Sequence, residues 1–164
     1  MTKQAKTLKA REFLFYTEDQ ALAEVEDAIP RPNRRVMWTI LQFYYDDPAV
    51  HFEVQPQGQR NQVELGLHFE ADAETNEARA QYIAAHAPEL MAALGPEWEL
   101  EEWTASWRRL HRVFRYERLT AELGREVAAQ FALLLRTLQP MVADLESIPN
   151  NVPALKAATS VSVR

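Results

Sequence analysis

The sequence contains no cysteine. Disulfide frameworks, thiolate metal sites and cysteine nucleophiles are therefore excluded by the inventory of side chains alone. Glycine is also scarce, with four residues, and none of them belongs to a phosphate-binding loop or a dinucleotide fingerprint. The sequence has neither a G-x-S-x-G element nor an H-E-x-x-H helix, so serine hydrolases and zincin-type proteases are not indicated. We therefore expect no cofactor and favour a non-enzymatic protein.

Lysine and long apolar runs are equally restricted. The only lysines are Lys3, Lys6, Lys9 and Lys156, all near the two ends, so lysine chemistry within the core is not expected. No stretch approaches about 18 consecutive apolar residues, and no apolar run follows the first lysines, so neither a membrane span nor a signal peptide is predicted. We expect a cytoplasmic protein without a membrane partner. Its net charge of −6 argues against indiscriminate binding to nucleic acid.

The composition is that of one folded domain. A chain of 164 residues with 47% hydrophobic and 26% charged residues can bury a single core. The sequence predicts a flexible tail over 1–10, one domain over 11–148 and a disordered tail over 149–164, where the residues are small, polar and aperiodic.

Two segments near the start of the domain differ in how clearly they indicate a structure. Thr17 and Gln20 form a capping-box pattern ahead of apolar residues at helical spacing, which predicts a helix over 18–29. Residues 36–44 are apolar on nearly every side, so this segment is buried. The pattern leaves open whether it is a helix or a strand.

Later helices are marked by clearer boundaries. Asp72 is expected to cap a helix that is interrupted or kinked near Pro88 and closed by Gly95. Thr120 is expected to cap a long helix with one apolar stripe, and that stripe is more often part of a core than of a dimer seam.

Two hairpins are predicted between these helices. The first joins strands around 52–54 and 63–69, where apolar and polar residues alternate. The second has a three-residue loop, Thr104–Ser106, that fixes its register. The expected partners, moving outward, are Trp103 with Trp107, Glu102 with Arg108, Glu101 with Arg109, Leu100 with Leu110, Glu99 with His111, and Trp98 with Arg112.

Together these elements predict an α+β fold. The expected order is α-α-ββ-α-ββ-α, with an antiparallel sheet of about four strands and helices packed on one face.

The second hairpin carries the preferred candidate binding surface, which combines arginine with tryptophan. Such residues can contact phosphates and stack bases, or anchor a protein interface. Cross-strand ion pairing with the facing glutamates is the alternative that we favour for most of these arginines. A second basic cluster, Arg31, Arg34 and Arg35, would extend the surface if the two met in space. The candidate residues are Trp103, Trp107, Arg108, Arg109, Arg112, Arg115 and Arg118.

The first hairpin carries the alternative candidate, a repeated His-Phe-Glu. Two imidazoles and three carboxylates can bind a divalent metal or share protons. The simpler interpretation, which we favour from sequence, is that alternation places polar residues on the solvent face of a half-exposed sheet. The candidate metal residues are His51, Glu53, Glu64, His68 and Glu70.

The stretch Val63 to Trp103 resembles a bacterial domain family of unknown function. It contains the strand Val-Glu-Leu-Gly-Leu-His-Phe-Glu, an alanine- and acid-rich helix, Leu94-Gly95 and Trp98-Glu-Leu. Members of that family are often appended to restriction-type nuclease domains, which implies a role in nucleic-acid defence or repair. Because no lysine lies between Lys9 and Lys156, the nuclease Glu-x-Lys element is absent and the resemblance implies an accessory module. The order of elements is also similar to small bacterial secretion chaperones.

These observations leave three hypotheses. The first is a non-enzymatic binding or accessory domain that recognises nucleic acid or a protein through the Trp/Arg hairpin. The second is a metal-dependent enzyme that uses the His/Glu sheet face. The third is a homodimeric interaction or chaperone-like domain with an apolar helix at its interface.

Overall fold

A computed structural model describes residues 3–149. The predicted tail over 149–164 lies outside the described residues except for Pro149. The fold is α+β, with four α-helices and one antiparallel sheet. Its elements are α1 (Ala10–Val25), β1 (Asn33–Met37), β2 (Ile40–Tyr44), β3 (Val50–Gln57), a 3₁₀ turn (Gly58–Arg60), β4 (Gln62–Phe69), α2 (Ala73–Ala85), α3 (Ala87–Leu94), β5 (Glu99–Glu102), β6 (Arg108–Arg115) and α4 (Ala121–Ser147).

The sheet has six strands in the order β1-β2-β3-β4-β6-β5, so the predicted four strands and the second helix of the predicted order are wrong. Residues 36–44 belong to a hairpin whose two-residue loop is Trp38–Thr39. Its β2 strand has period two, because Leu41 and Phe43 enter the core while Gln42 points to the other face. The apolar residues of β1 and of the loop obscured that period in the sequence.

The first helix begins earlier than its capping pattern predicted. It runs over Ala10–Val25, and Thr17 is a fully buried residue in its interior. The backbone N–H of Lys9 donates to Glu12 Oε2 at 2.9 Å, which satisfies the helix start through the acidic residue of its first turn. The predicted helix over 18–29 is therefore correct only over residues 18–25.

Local signals elsewhere are confirmed. Asp72 accepts a hydrogen bond from Thr75 N at 3.0 Å, and Thr120 accepts one from Leu123 N at 3.2 Å. The predicted interruption near Pro88 separates α2 from α3 at His86. Four cross-strand pairs of the second hairpin, from Glu99 with His111 to Glu102 with Arg108, have the predicted register.

The core lies between the helices and one face of the sheet. Phe13 and Leu14 of α1 pack in one cluster with alternate residues of β2, β3 and β4 and with the apolar stripe of α4. Phe43 of β2 stacks on Phe131 of α4 with ring centroids 5.3 Å apart. Because the α4 stripe is buried within this chain, it does not offer the exposed dimer interface that the third hypothesis requires. None of the helices in residues 3–149 is long and apolar enough to span a bilayer.

The opposite face of the sheet is polar yet also buried. The expectation that its polar residues face solvent is wrong, since none of those named below is more than 8% exposed. They cover one another because they hydrogen-bond and pair across four neighbouring strands. We call this set the polar layer: Gln42, His51, Glu53, Glu64, His68, Arg109 and His111.

Candidate metal centre

The β3–β4 pairing brings the two His-Phe-Glu repeats together. His51 lies directly opposite His68 in the ladder, and their rings stack with centroids 5.4 Å apart. Side chains two residues apart share a face of a strand. Glu53 therefore lies beside His51, and Glu70, just beyond the end of β4, lies beside His68. The sequence predicted this grouping correctly.

The hydrogen bonds of His51 assign its two ring nitrogens. Nδ1 lies 2.8 Å from the carbonyl oxygen of Pro48, which can only accept, so Nδ1 carries the proton. In the neutral ring Nε2 then carries the lone pair and accepts from Gln42 Nε2 at 3.2 Å, whereas in the doubly protonated ring it donates to Glu53 Oε2. The same Nε2 faces two carboxylates, Glu53 Oε2 at 3.3 Å and Glu70 Oε2 at 3.5 Å.

His68 forms its orienting hydrogen bond through Nε2, whereas His51 uses Nδ1. His68 Nε2 donates to Glu64 Oε1 at 2.9 Å. His68 Nδ1 is buried, has no hydrogen-bond partner and lies 3.7 Å from Glu70 Oε1. A carboxylate that holds the far nitrogen of a metal-binding histidine fixes the ring orientation and raises its basicity. Glu64 is placed to do this for His68.

The four candidate ligand atoms converge on one point. One atom each from His51, Glu53, His68 and Glu70 lies within 4.8 Å of the other three. A tetrahedral ion with bonds of about 2.1 Å holds its ligands about 3.4 Å apart. Three separations, 3.3, 3.5 and 3.7 Å, are close to that value, the last two measured to different oxygens of Glu70. The full set spans up to 4.8 Å, so the side chains must move together to bind an ion.

The charges around His68 determine the protonation state from which an ion would bind. Burial would lower the pKa of His68, but Glu64, Glu70 and Glu53 together hold it well above its usual range. Burial would likewise raise the pKa of Glu64, but His68, His111 and Arg109 hold it well below its usual range. The pKa of Glu53 is lowered as well, because bonds from His51 and the charge of His68 outweigh its burial. Glu53 and Glu64 are thus anionic, whereas His68 is protonated without a metal, so a metal ion must displace the Nδ1 proton of His68 when it binds.

The second hairpin closes the layer on one side. Trp103 meets His68 edge-on at 5.2 Å, and the Arg109 guanidinium lies 4.8 Å from the centre of the Trp103 ring. Arg109 also pairs with Glu101 at 3.0 Å. His111 binds Glu101 at 2.6 Å rather than the predicted Glu99. Trp103 and Arg109 therefore contact the polar layer within the chain.

Most of the other arginines of the candidate binding surface also have partners within the chain. Arg108 bonds to Glu77 at 3.1 Å and lies 3.8 Å from the predicted Glu102. Arg112 donates to Gln130, and Arg118 donates to the carbonyl of Ala5. Within residues 3–149, Arg115 is exposed with no side-chain partner in the structure. Trp107 is 37% exposed and packs on Trp103.

The two basic clusters do not meet. Arg34 and Arg35 lie on β1 at one edge of the sheet, whereas the arginines of the second hairpin lie on β6 and its neighbours. Strands β2, β3 and β4 separate β1 from β6. The recognition of a macromolecule by the Trp/Arg hairpin stays a prediction, and no continuous basic surface supports it.

Sequence reasoning missed three members of the polar layer. Gln42 was assigned to a segment of undecided structure, although it orients both His51 and Glu53, donating to Glu53 Oε2 at 2.9 Å. Arg109 and His111 were assigned to simple cross-strand pairs. Arg109 and His111 are two residues apart in β6, so the sequence showed that they share one face of that strand. The sequence of β6 does not show that its neighbour in the sheet is β4, which carries Glu64 and His68.

Comparison of the chain with models of protein families, with curated proteins and with solved structures gives no match.

Proposed function

We propose that this protein is a metal-stabilised, non-enzymatic domain that binds one divalent transition-metal ion between β3 and β4. The ligands are His51 Nε2, His68 Nδ1, Glu53 and Glu70. One observation carries the proposal. Each imidazole donates a hydrogen bond from one ring nitrogen to a fixed acceptor, Pro48 O for His51 and Glu64 for His68. The other nitrogen of each ring faces Glu70, at 3.5 Å from His51 and 3.7 Å from His68, and Glu53 lies 3.3 Å from His51.

The donor set indicates the kind of ion. Imidazole nitrogen suits Zn²⁺, Fe²⁺, Ni²⁺ and Cu²⁺, whereas purely oxygen sites suit Mg²⁺ and Ca²⁺. Two nitrogens with two carboxylates, close to tetrahedral spacing, favour Zn²⁺. Four protein ligands are typical of a structural zinc site, because a catalytic site keeps a position open for water or substrate.

Burial of the ligands supports a structural role. His51, Glu53 and His68 are at most 4% exposed, so a substrate could not reach an ion held between them. Glu70 is the most open ligand, with its side chain 18% exposed, and marks the side from which the ion enters. Without a metal, the carboxylates and His68 form a buried charged network, which is costly unless it is fully paired.

Calorimetric titration of Zn²⁺ into chelator-treated full-length protein tests the proposal. We expect one equivalent to bind and the thermal unfolding temperature to rise, because an ion that binds only the folded state stabilises it. Co²⁺ is a coloured probe of the same site, and its visible spectrum reports nitrogen and oxygen ligation directly.

Variants assign the site. His68→Gln and Glu70→Gln should each abolish the thermal shift by Zn²⁺. His86→Gln should keep it, because His86 bonds to Tyr82 O on the helical side. Because Glu70 is the least buried ligand, Glu70→Gln is the variant expected to stay folded if His68→Gln misfolds. Absence of stoichiometric Zn²⁺ or Co²⁺ binding by a folded wild-type protein would refute the proposal.

A further inference from the structure

The strand β1 forms one open edge of the sheet. Within the described residues it pairs only with β2, so the backbone groups along its outer side have no strand partner. Four of its five residues are exposed, Val36 being the exception. An open edge of this kind is a template for one more strand.

This edge is positively charged although the protein is acidic overall. Arg34 and Arg35 occupy consecutive positions of β1, and Arg31 precedes them. Arg35 donates to the neutral Gln42, so its charge has no carboxylate partner. Arg34 pairs with Glu18 at 2.6 Å, and its side chain remains 46% exposed. Arg11 of α1 adds a fourth positive charge near the hairpin loop, where it donates to Trp38 O at 2.9 Å.

An exposed tryptophan marks one end of the edge. Trp38 is 85% exposed and has a φ of 50°, in the left-handed region where a large side chain is uncommon. Met37 beside it is 39% exposed. A large aromatic side chain held in solvent at the end of an open strand is typical of a contact residue in protein interfaces.

A cavity of mixed polarity marks the other end. It has a volume of about 300 Å³ and lies between α1 and the connection that leads into β1. Leu22, Ile29 and Pro30 form its apolar part, whereas Asp19, Glu26 and Arg31 are its charged lining residues. An apolar residue of a partner can therefore enter beside Leu22, Ile29 and Pro30, but an acidic residue there would face Asp19 and Glu26.

We propose that β1 docks an extended acidic segment of a partner protein by strand addition. Backbone hydrogen bonds supply affinity in this mode, and side-chain contacts at alternate positions supply specificity. The segment carries two consecutive acidic residues opposite Arg34 and Arg35. Apolar residues at its ends meet Trp38 and the cavity, over roughly six to eight residues at about 3.3 Å per residue.

A second copy of this chain fits the edge less well than an acidic segment. Antiparallel pairing of β1 with another β1 in a register centred on Arg34 and Arg35 would bring these arginines against one another, and like charges across strands destabilise the pair. A shifted register would leave them without an acidic partner. Nucleic acid would satisfy the charges but would leave the backbone groups of the edge without the hydrogen bonds that a strand provides. An acidic peptide satisfies both.

Fluorescence anisotropy with the full chain tests this surface. The probe is a labelled eight-residue peptide with two central glutamates flanked by valine and isoleucine, and the control peptide has lysines in their place. We expect the glutamate peptide alone to bind at low salt, with a blue shift of tryptophan emission that Trp38→Phe diminishes. Loss of two exposed ion pairs in Arg34→Ala/Arg35→Ala should weaken it about fivefold.

The matched control is Arg115→Ala/Arg118→Ala, which removes the same charge elsewhere on the molecule and should leave binding unchanged. Equal weakening by the two double variants, or equal affinity for the lysine peptide, would overturn the proposal. A single-stranded oligonucleotide is the third probe. Oligonucleotide binding that depends on Arg34 and Arg35, without peptide binding, would make the edge a nucleic-acid surface and would also overturn it.

Discussion

Glu64 has no direct contact with the proposed ion, yet it fixes His68 through the bond to Nε2. Outer-shell carboxylates of this kind typically contribute about 10- to 100-fold to metal affinity. Glu64→Gln, which keeps the shape and removes the charge, should therefore weaken Zn²⁺ binding by about that factor. Calorimetry measures it, with the exposed Glu99→Gln as the matched control. Equal affinity in both variants would show that Glu64 does not support the site.

Trp38 has a left-handed backbone conformation that is unfavourable for a residue with a side chain. A left-handed backbone conformation costs a residue with a Cβ roughly 1–2 kcal/mol, and glycine avoids that cost. Because Trp38 is 85% exposed, little packing is lost when it is removed. Trp38→Gly should raise the free energy of unfolding by about 1 kcal/mol while it weakens peptide docking. Urea denaturation checks the first effect, and an unchanged or lower stability would contradict it.

The identity of the site residues was readable from sequence, but their environment was not. Two His-Phe-Glu repeats in paired strands were enough to place His51 beside His68, because strand alternation is a local rule. Their burial depends on Gln42, Arg109 and His111, which come from strands distant in sequence. A single sequence predicts which face a side chain points to, but not what covers that face.

At the scale of the element, the cap of α4 is a local device with a measurable contribution. The Thr120 hydroxyl accepts a hydrogen bond from Leu123 N at 3.2 Å. Thr120→Ala should lower the free energy of unfolding by about 1 kcal/mol, whereas Thr120→Ser keeps the acceptor and should cost much less. Thermal unfolding of the two variants compares them directly. Equal losses would mean that the methyl packing of Thr120 matters more than its cap.

Strand β4 requires glycine at its centre. A Cβ at Gly66 would lie 2.7 Å from His111 Cβ and 2.8 Å from Leu110 O, so β4 and β6 would have to move apart. Gly66→Ala should destabilise the protein by about 1–3 kcal/mol, the usual cost of overpacking, and should also weaken Zn²⁺ binding through Glu64. Gly58→Ala is the control, because nothing lies within 4 Å of its Cβ position. Unfolding and Zn²⁺ titrations that do not distinguish the two variants would contradict this.

The elements that were predicted well have turn or capping residues that mark their boundaries in the sequence. The second hairpin was placed residue by residue because its loop fixes the register, and Asp72 and Thr120 identified their helices through capping. Residues 36–44 lacked such a signal, since a tryptophan occupies the loop position where glycine or asparagine would mark a tight turn. The start of α1 was missed because Lys9 is an unusual capping residue.

At the scale of the whole molecule, the sequence could not show how charge is used. Arg79 is almost fully buried, donating to Leu145 O at 3.0 Å and pairing with Asp47 at 3.0 Å, so it ties α2 to α4 and to the loop before β3. Several arginines of the predicted binding surface likewise form ion pairs or hydrogen bonds with other residues of this chain. Counting charges in a sequence therefore overstates what is left for a partner. Among the described residues, Arg35 at the β1 edge and Arg115 on β6 lack a carboxylate partner.

The half-buried phenol of Tyr45 contributes to the dependence of stability on pH in alkali. Tyr45 donates to Pro30 O at 2.7 Å, joining the end of β2 to the connection before β1, and burial raises the pKa of its phenol to about 12. Above the unfolded value of about 10, the unfolded chain has lost a proton that the folded chain keeps, so stability falls as pH rises.

We therefore expect Tyr45 to make the wild-type protein lose stability progressively from about pH 10 towards pH 12. This loss adds to any alkaline loss that the wild type and Tyr45→Phe have in common. Tyr45→Phe cannot ionise, so its stability should fall less steeply over that interval even if it is lower at pH 7 for want of the bond to Pro30 O. Urea unfolding at pH 7, 9, 10 and 11 measures the slope, with Tyr44→Phe as the matched control. Identical slopes for the wild type and Tyr45→Phe would show that ionisation of Tyr45 does not contribute to the loss of stability at high pH.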